Sequence, residues 1–292
     1  MTATLRGICL MVAAMAAFAI EDTLIKLAAA DMPAGQVMAL LGAAGTVIFA
    51  LWSRAAGQRV FGPQVLDRGL WTRNLFEVIG TLGFVTALTR IPLSTASAIL
   101  QASPIVVMAG AALFLGEKVG WRRWSAVCVG FAGVMLILRP GAEAFDLNML
   151  WAVLGVFGLA ARDIVTRRMP PGLPTQAVAT WGYVSITGLG LAMLAVSGGA
   201  VMPDARAAGL VAGAVAIGVL AYWAIIEATR AGDVSTIQPF RYSRLIFAMI
   251  IGAVVFAERP DALTLLGAVL IVGSGLYALA RERRAIRASL AR

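Results

Sequence analysis

No histidine occurs anywhere in this 292-residue chain. Imidazole catalysis, imidazole metal ligation and a histidine proton relay are therefore all excluded. Cysteine is nearly as scarce. Cys9 and Cys128 each fall in an apolar stretch and share no paired spacing, which implies neither a disulfide framework nor a metal motif. Charged residues make up only 13% of the chain. There is no HExxH, no DxxD-type pair in an apolar stretch and no phosphate-binding Gly-rich Lys motif, so nothing implies a catalytic residue, a metal or a cofactor. Long polar linkers are also missing, and the longest non-apolar stretch runs only from about Arg54 to Leu70.

Apolar residues fill the space. They account for 60% of the chain, with a mean hydropathy of +0.88. A soluble domain of this size cannot hide so much apolar surface, whereas a bilayer solvates it directly. A crossing takes roughly 20 apolar residues. The pattern predicts ten crossings, at about 6–28, 34–53, 71–89, 94–115, 121–139, 147–166, 175–196, 207–229, 234–256 and 262–280. The partner this implies is the lipid bilayer. Glycine is frequent within these segments, and Gly209 with Gly213 has GxxxG spacing. That spacing suits packing inside one bundle, and a monomer or weak dimer is expected.

The second half repeats the first at a constant shift. Asp22 and Asp163, Pro33 and Pro174, Ser94 and Ser235, Thr95 and Thr236, and Glu117 and Glu258 are each 141 residues apart. Five crossings per copy is an odd number, so the second copy enters the bilayer upside down. The predicted fold class is an all-α integral membrane protein of ten transmembrane helices in two inverted five-helix repeats, the architecture of a secondary transporter. The expected boundaries are 1–140 and 147–285 for the repeats, with a basic cytoplasmic tail at 286–292.

The net charge of +9 reports topology, not nucleic-acid binding. With the amino terminus taken as cytoplasmic, sixteen Lys and Arg residues collect on the inner side, including Arg54, Arg59, Arg68 and Arg73. Five lie on the outer side, namely Lys26, Arg90, Arg139, Arg206 and Arg259. This bias puts both termini in the cytoplasm. The first apolar run lacks a small-residue cleavage site and is expected to stay as a helix.

Polar groups inside crossings are costly and mark candidate sites. Asp22 with Lys26, and Asp163 with Arg167, are repeat-related pairs of acid and base four residues apart, facing each other on one helix side. Two readings stay open: local anchors of helix ends, or gates broken alternately on opposite sides. The shift also relates Thr81 to Tyr222, Ser97 to Gln238 and Gln101 to Tyr242, and it places Ser97–Gln101 and Gln238–Tyr242 on two symmetry-related faces. Asn74, Glu77 and Thr81 form a third stripe. Pro104 and Pro239 interrupt the fourth and ninth helices and are expected to kink them. Arg241 and Arg244 lie about seven and ten residues into the ninth helix, near mid-bilayer at 1.5 Å per residue. Either they pair with Glu77 or Glu227, or one of them takes a substrate carboxylate. Trp181 is a candidate ring contact. Trp and Tyr also serve as interfacial anchors, and that reading stays open for these aromatics.

The run Leu115-Gly116-Glu117-Lys118-Val119-Gly120-Trp121, then Gly130-Phe131-Ala132-Gly133-Val134, resembles the end of an EamA-type repeat. Phe256-Ala257-Glu258-Arg259 is its partner, and Asp22-Thr23-Leu24-Ile25-Lys26 resembles the first-helix signature. Over essentially its whole length the chain resembles the drug/metabolite transporter superfamily. The resemblance implies a bacterial inner-membrane protein with a central cavity largely lined by the third, fourth, eighth and ninth helices. Within the superfamily it looks most like the amino-acid exporters, the aromatic branch included. It implies export of a small-molecule substrate by alternating access, with Glu117 and Glu258 stabilising the fold. The alternatives are a lipophilic-cation exporter or a transporter of another small metabolite. Reporter fusions at the two ends test the topology: both must read as cytoplasmic, and opposite sides would disprove the ten-crossing reading.

Overall fold

A computed structural model describes residues 3–60, 62, 67–116, 120–142, 145–169, 173–230 and 237–290, without side chains at 3–4, 229–230 and 282–290. Glu117, Ser235, Thr236 and the Pro170-Pro171-Gly172 turn lie outside the described residues. Among those described, all regular structure is helical. Hydrocarbon offers the backbone no hydrogen-bond partner, so a crossing segment satisfies its own N–H and C=O groups within a helix.

The helices are α1 (Ala3–Asp31), α2 (Ala34–Ala55), α3 (Arg68–Arg90), α4 (Leu93–Leu100), α5 (Ser103–Phe114), α6 (Trp121–Leu138), α7 (Met149–Arg168), α8 (Thr175–Val196), α9 (Ala205–Arg230), α10 (Ser243–Val255) and α11 (Ala262–Leu290). A 3₁₀ turn, Gln238–Tyr242, precedes α10. Among the described residues, eight spans are long and apolar enough to cross a membrane, α4 and α5 together making one of them. The third and ninth predicted crossings are not among the eight. Arg68, Arg73, Glu77 and Arg90 lower the hydropathy of α3, and α10 holds only 13 residues. The last helix runs to Leu290, beyond the apolar span Ala262–Arg281, so the backbone of 286–290 is helical.

Helix starts follow proline. Pro33 (φ −55°) and Pro174 (φ −63°) immediately precede α2 and α8, where a fixed φ and a missing N–H suit a helix entry. Both bounds of α2 and α8 differ by the repeat shift, 34 to 175 and 55 to 196.

Contacts divide the chain into two compact units. One takes Met1–Ile20, Ile91–Met149 and Ile217–Arg292, and the other takes Glu21–Arg90 and Leu150–Ala216. Each unit draws on both repeats.

In the second unit, α2 packs along its own repeat image, α8. A Cβ on Gly35 would come 2.5 Å from the Leu194 backbone nitrogen, and one on Gly42 would come 2.5 Å from that of Thr187. Gly45 lies under the ring of Tyr183, and Phe49 stacks on Tyr183 at 5.2 Å. As the α2 number rises the α8 number falls, so the two copies of one helix are antiparallel.

The first unit repeats this with α6 and its image α11. A Cβ on Gly133 would meet the Gly267 carbonyl at 2.7 Å, and one on Gly267 would meet the Gly133 carbonyl at 2.6 Å. Gly130 approaches Ser274, and the shifted pair, Gly133 and Ile271, also touches. Such reciprocity is the signature of a twofold relation, and antiparallel images mean inverted repeats. In the same unit, Met11, Ala14 and Met15 of α1 pack with Ala224 and Ala228 of α9 and with Ile237.

With no side chain between the backbones, van der Waals contact holds these seams in lipid. Gly133→Val forces them apart. The expected loss is about 1–3 kcal/mol, read as a lower melting temperature of the purified protein in detergent.

Candidate functional site

The second unit holds a cluster of ionised side chains built by a glycine seam. Gly83 lies against Gly155, and Gly80 against Gly158 and Leu159, at backbone distance. One turn further along this antiparallel crossing come Glu77 of α3 and Arg162 of α7. Arg162 Nη1 donates to Glu77 Oε1 at 2.9 Å. Its Nε and Nη2 donate to Asp163 Oδ1 at 2.9 and 2.7 Å. Arg73, one turn before Glu77, reaches Glu77 Oε2 at 2.5 Å, and its Nη1 donates to Asn74 Oδ1 at 2.9 Å. Both oxygens of Glu77 are thus engaged by guanidinium groups. Two arginines balance two carboxylates, the condition under which buried charge is tolerated in a membrane.

Trp181 of α8 stands beside this cluster. Its Nε1 donates to the Val60 carbonyl at 3.0 Å, and its ring meets Trp71 edge-on at 5.5 Å. The next residue, Gly182, leaves room for the Arg73 guanidinium, since a Cβ there would sit 2.8 Å from Nη1. Thr81 lies one turn beyond Glu77 and is half-buried. At the other end of α3, Lys26 Nζ donates to the Leu88 carbonyl at 2.7 Å, one of the carbonyls a helix terminus leaves unsatisfied. Asp22 is buried on the same helix as Lys26.

The first unit holds Ser97, Gln101, Tyr222, Gln238, Arg241, Tyr242 and Arg244. The fourth crossing divides at Gln101-Ala102, and Pro104 occupies the first turn of α5. Gln101 N still donates to Ser97 O at 3.2 Å, so these two side chains share a face. The Gln101 side-chain amide donates to the Arg241 carbonyl at 3.4 Å, which joins the break in the fourth crossing to the 3₁₀ turn.

Pro239 opens that turn. Here the expectation that Gln238 and Tyr242 share a face is corrected. In 3₁₀ geometry i and i+3 align, so Gln238 lines up with Arg241, while Tyr242 turns inward against Gly275 of α11 and is 5% exposed. Arg244 lies over the Phe18 ring at 5.3 Å, and Tyr222 is half-buried on α9. The Ser97 and Tyr242 hydroxyls are buried with no hydrogen-bond partner among the described residues.

Sequence reasoning missed Arg73 and Arg162 as partners of Glu77. The signal for Arg73 was its i, i+4 spacing. For Arg162 it was the Gly80 and Gly158 pair, whose contact only packing reveals.

At one end of the first unit the turn after α10 closes on α4. Ala257 takes φ 53°, as its repeat counterpart Gly116 takes φ 69°. Glu258 then accepts from Leu93 N (2.5 Å), Ser94 N (2.9 Å) and Ser94 Oγ (2.6 Å). A carboxylate at the positive end of a helix satisfies donors the helix cannot. The same end has a cleft of about 230 Å³ lined by Pro92, Thr95, Arg259, Pro260 and Thr264 among others. Asp261 caps α11 through Thr264 N (2.9 Å) and pairs with Arg139. The Arg139 hydrogen bond, followed by those of Thr264, holds the Asp261 carboxyl well below the usual carboxylate range. Among the described residues no cluster of acids or cysteines suits a metal ion.

The description of the EamA-like transporter family matches residues 5–139 and again 147–279. A riboflavin transporter of Vibrio cholerae is 30% identical over 278 residues, covering 92% of this chain and 91% of that protein. A pseudopaline exporter of Pseudomonas aeruginosa is 29% identical, covering 95% and 97%. An S-adenosylmethionine uptake transporter of Rickettsia bellii is 28% identical, covering 73% of each. None of the three is named as an amino-acid exporter.

Glu258→Ala leaves two backbone donors and a hydroxyl without their acceptor, and the expected cost is about 1–3 kcal/mol in thermal melting. The Asp261 contact is fully present above about pH 4 and is lost as the pH falls through the depressed value. Asp261→Asn is therefore expected to flatten the acid limb of a melting-temperature profile while lowering the plateau.

Proposed function

We propose a transport function on one premise: the chain belongs to the EamA-like transporter family. The protein carries an uncharged, ring-bearing, hydrogen-bonding small metabolite of the riboflavin kind across the bacterial inner membrane by alternating access. Both termini are cytoplasmic, and the working form is a monomer or weak dimer.

The observation that carries this reading is the state of Glu77. With each oxygen held by an arginine, the charge of the carboxylate is already offset, which weakens its pull on a substrate ammonium or a lipophilic cation. What the chain offers instead is neutral. The Ser97 and Tyr242 hydroxyls are buried without partners, Gln101, Gln238 and Thr81 add amide and hydroxyl groups, and Trp181 and Tyr222 supply flat rings. A buried donor gains most from a ligand that completes its hydrogen bonds. The likeness to the Vibrio cholerae riboflavin transporter supports the same class.

A second reading, export of amino acids including aromatic ones, is favoured by Arg241 and Arg244. A guanidinium at mid-bilayer binds a carboxylate through two parallel hydrogen bonds. In that reading Asp22 with Lys26 and Asp163 with Arg167 act as gates on opposite sides.

Proteoliposomes of the purified protein, offered labelled riboflavin, tryptophan, phenylalanine and threonine, decide between them. Saturable riboflavin flux is expected. Flux of the amino acids alone transfers the assignment to the second reading, and no saturable flux of any of the four removes both.

A further inference from the structure

Two buried donors beside the charged cluster have no acceptor among the described residues. Asn74 is 2% exposed. Its Oδ1 accepts from Arg73 Nη1, but among the described residues neither its buried Nδ2 nor Arg73 Nε has a hydrogen-bond partner. The two residues adjoin in sequence, and the hydrogen bond between them fixes their orientation. Arg73 is held further by Glu77 on one side and by the open backbone of Gly182 on the other. Natural proteins rarely leave buried donors unpaired, and the exceptions call for a ligand, an ion or water.

The charge of the cluster selects the ligand. Arg73 and Arg162 are matched by Glu77 and Asp163, so an added carboxylate would bring an unbalanced negative charge into a poorly solvated place. An uncharged carbonyl oxygen brings two lone pairs and no charge. We infer that Asn74 Nδ2 and Arg73 Nε form a subsite for a neutral carbonyl oxygen of the transported molecule. The Trp181 indole, held by Val60 and Trp71, stands on α8 immediately before Gly182, and we take it as the ring contact for the planar group that bears the carbonyl. This subsite rests on the riboflavin-type reading above and names the part of the substrate that the second unit recognises.

Two variants test it in proteoliposomes. Asn74→Leu removes the amide donor. Arg73→Lys keeps a cation for Glu77 but loses the Nε donor, so it tests the site even where Asn74→Leu fails to fold. Each is expected to raise the KM for riboflavin roughly tenfold, the effect of losing one hydrogen bond of about 1.4 kcal/mol, with kcat little changed; both also lose the Arg73–Asn74 hydrogen bond, so a lower melting temperature is expected in either case. A role confined to holding the helices together would lower the melting temperature and leave KM alone. If the wild type transports riboflavin and both variants keep KM within about twofold, as no lost hydrogen bond would allow, the subsite is overturned while the transport reading stands.

If the wild type does not transport riboflavin, the transport reading fails and the subsite is judged separately. Purified protein is then melted with millimolar uracil, an uncharged carbonyl ring, or with orotate, its carboxylate. A stabilising shift by uracil alone, lost in both variants, upholds the subsite. No shift in the wild type, a shift retained in the variants, or an equal shift with orotate overturns it.

Discussion

Helices that meet backbone to backbone, with glycine where a side chain would stand, hold every other feature in place. In water a helix is pressed onto its neighbour by the exclusion of solvent. In lipid that force is absent, so close contact and complementary polar groups must do the work. The Gly133 and Gly267 contact fixes α6 on α11, and Gly35, Gly42 and Gly45 fix α2 on α8. Each pair joins a helix to its own repeat image, so the duplicated sequence also supplies the partner for its copy.

A third seam, between α3 and α7, shows how this packing generates chemistry. Because Gly80 and Gly158 touch, the following turn of each helix brings Glu77 and Arg162 within hydrogen-bond distance. Arg73 then closes the carboxylate from the other side. A lone carboxylate at this depth would be costly, and an arginine there equally so. With Asp163, which Arg162 also binds, they form a charge-balanced group in which Arg73 Nε has no partner among the described residues. The polar character of the second unit therefore follows from how closely two glycines approach.

The turn after α10 shows the repeat under local strain. Gly116 and Ala257 adopt the same left-handed backbone at equivalent positions, though only glycine does so without steric cost. The second copy accepts the strained alanine where the following residue, Glu258, satisfies the first donors of α4. The counterpart of that contact would involve Glu117 and Ser235, which lie outside the described residues.

Much of the fold was legible along the chain. Mean hydropathy and the constant shift of 141 gave helical crossings in two inverted copies, and α2 and α8 carry that shift at both ends. These features are local or periodic, and a bilayer turns them directly into helices. The candidate site was less legible. The i, i+4 rule related Gln238 to Tyr242, but the 3₁₀ turn after Pro239 realigned Gln238 with Arg241. Asp163 was paired on paper with Arg167, yet the Arg162 guanidinium also binds it and bridges it to Glu77.

The sequence alone determined the helical class and the repeat that relates one helix to another, because hydrocarbon thickness and backbone hydrogen bonding leave an apolar segment almost no alternative. Only the tertiary structure decided which charges neutralise one another and which donors stay unsatisfied. Those outcomes depend on interhelical distances of a few ångströms, set by residues far apart in the chain.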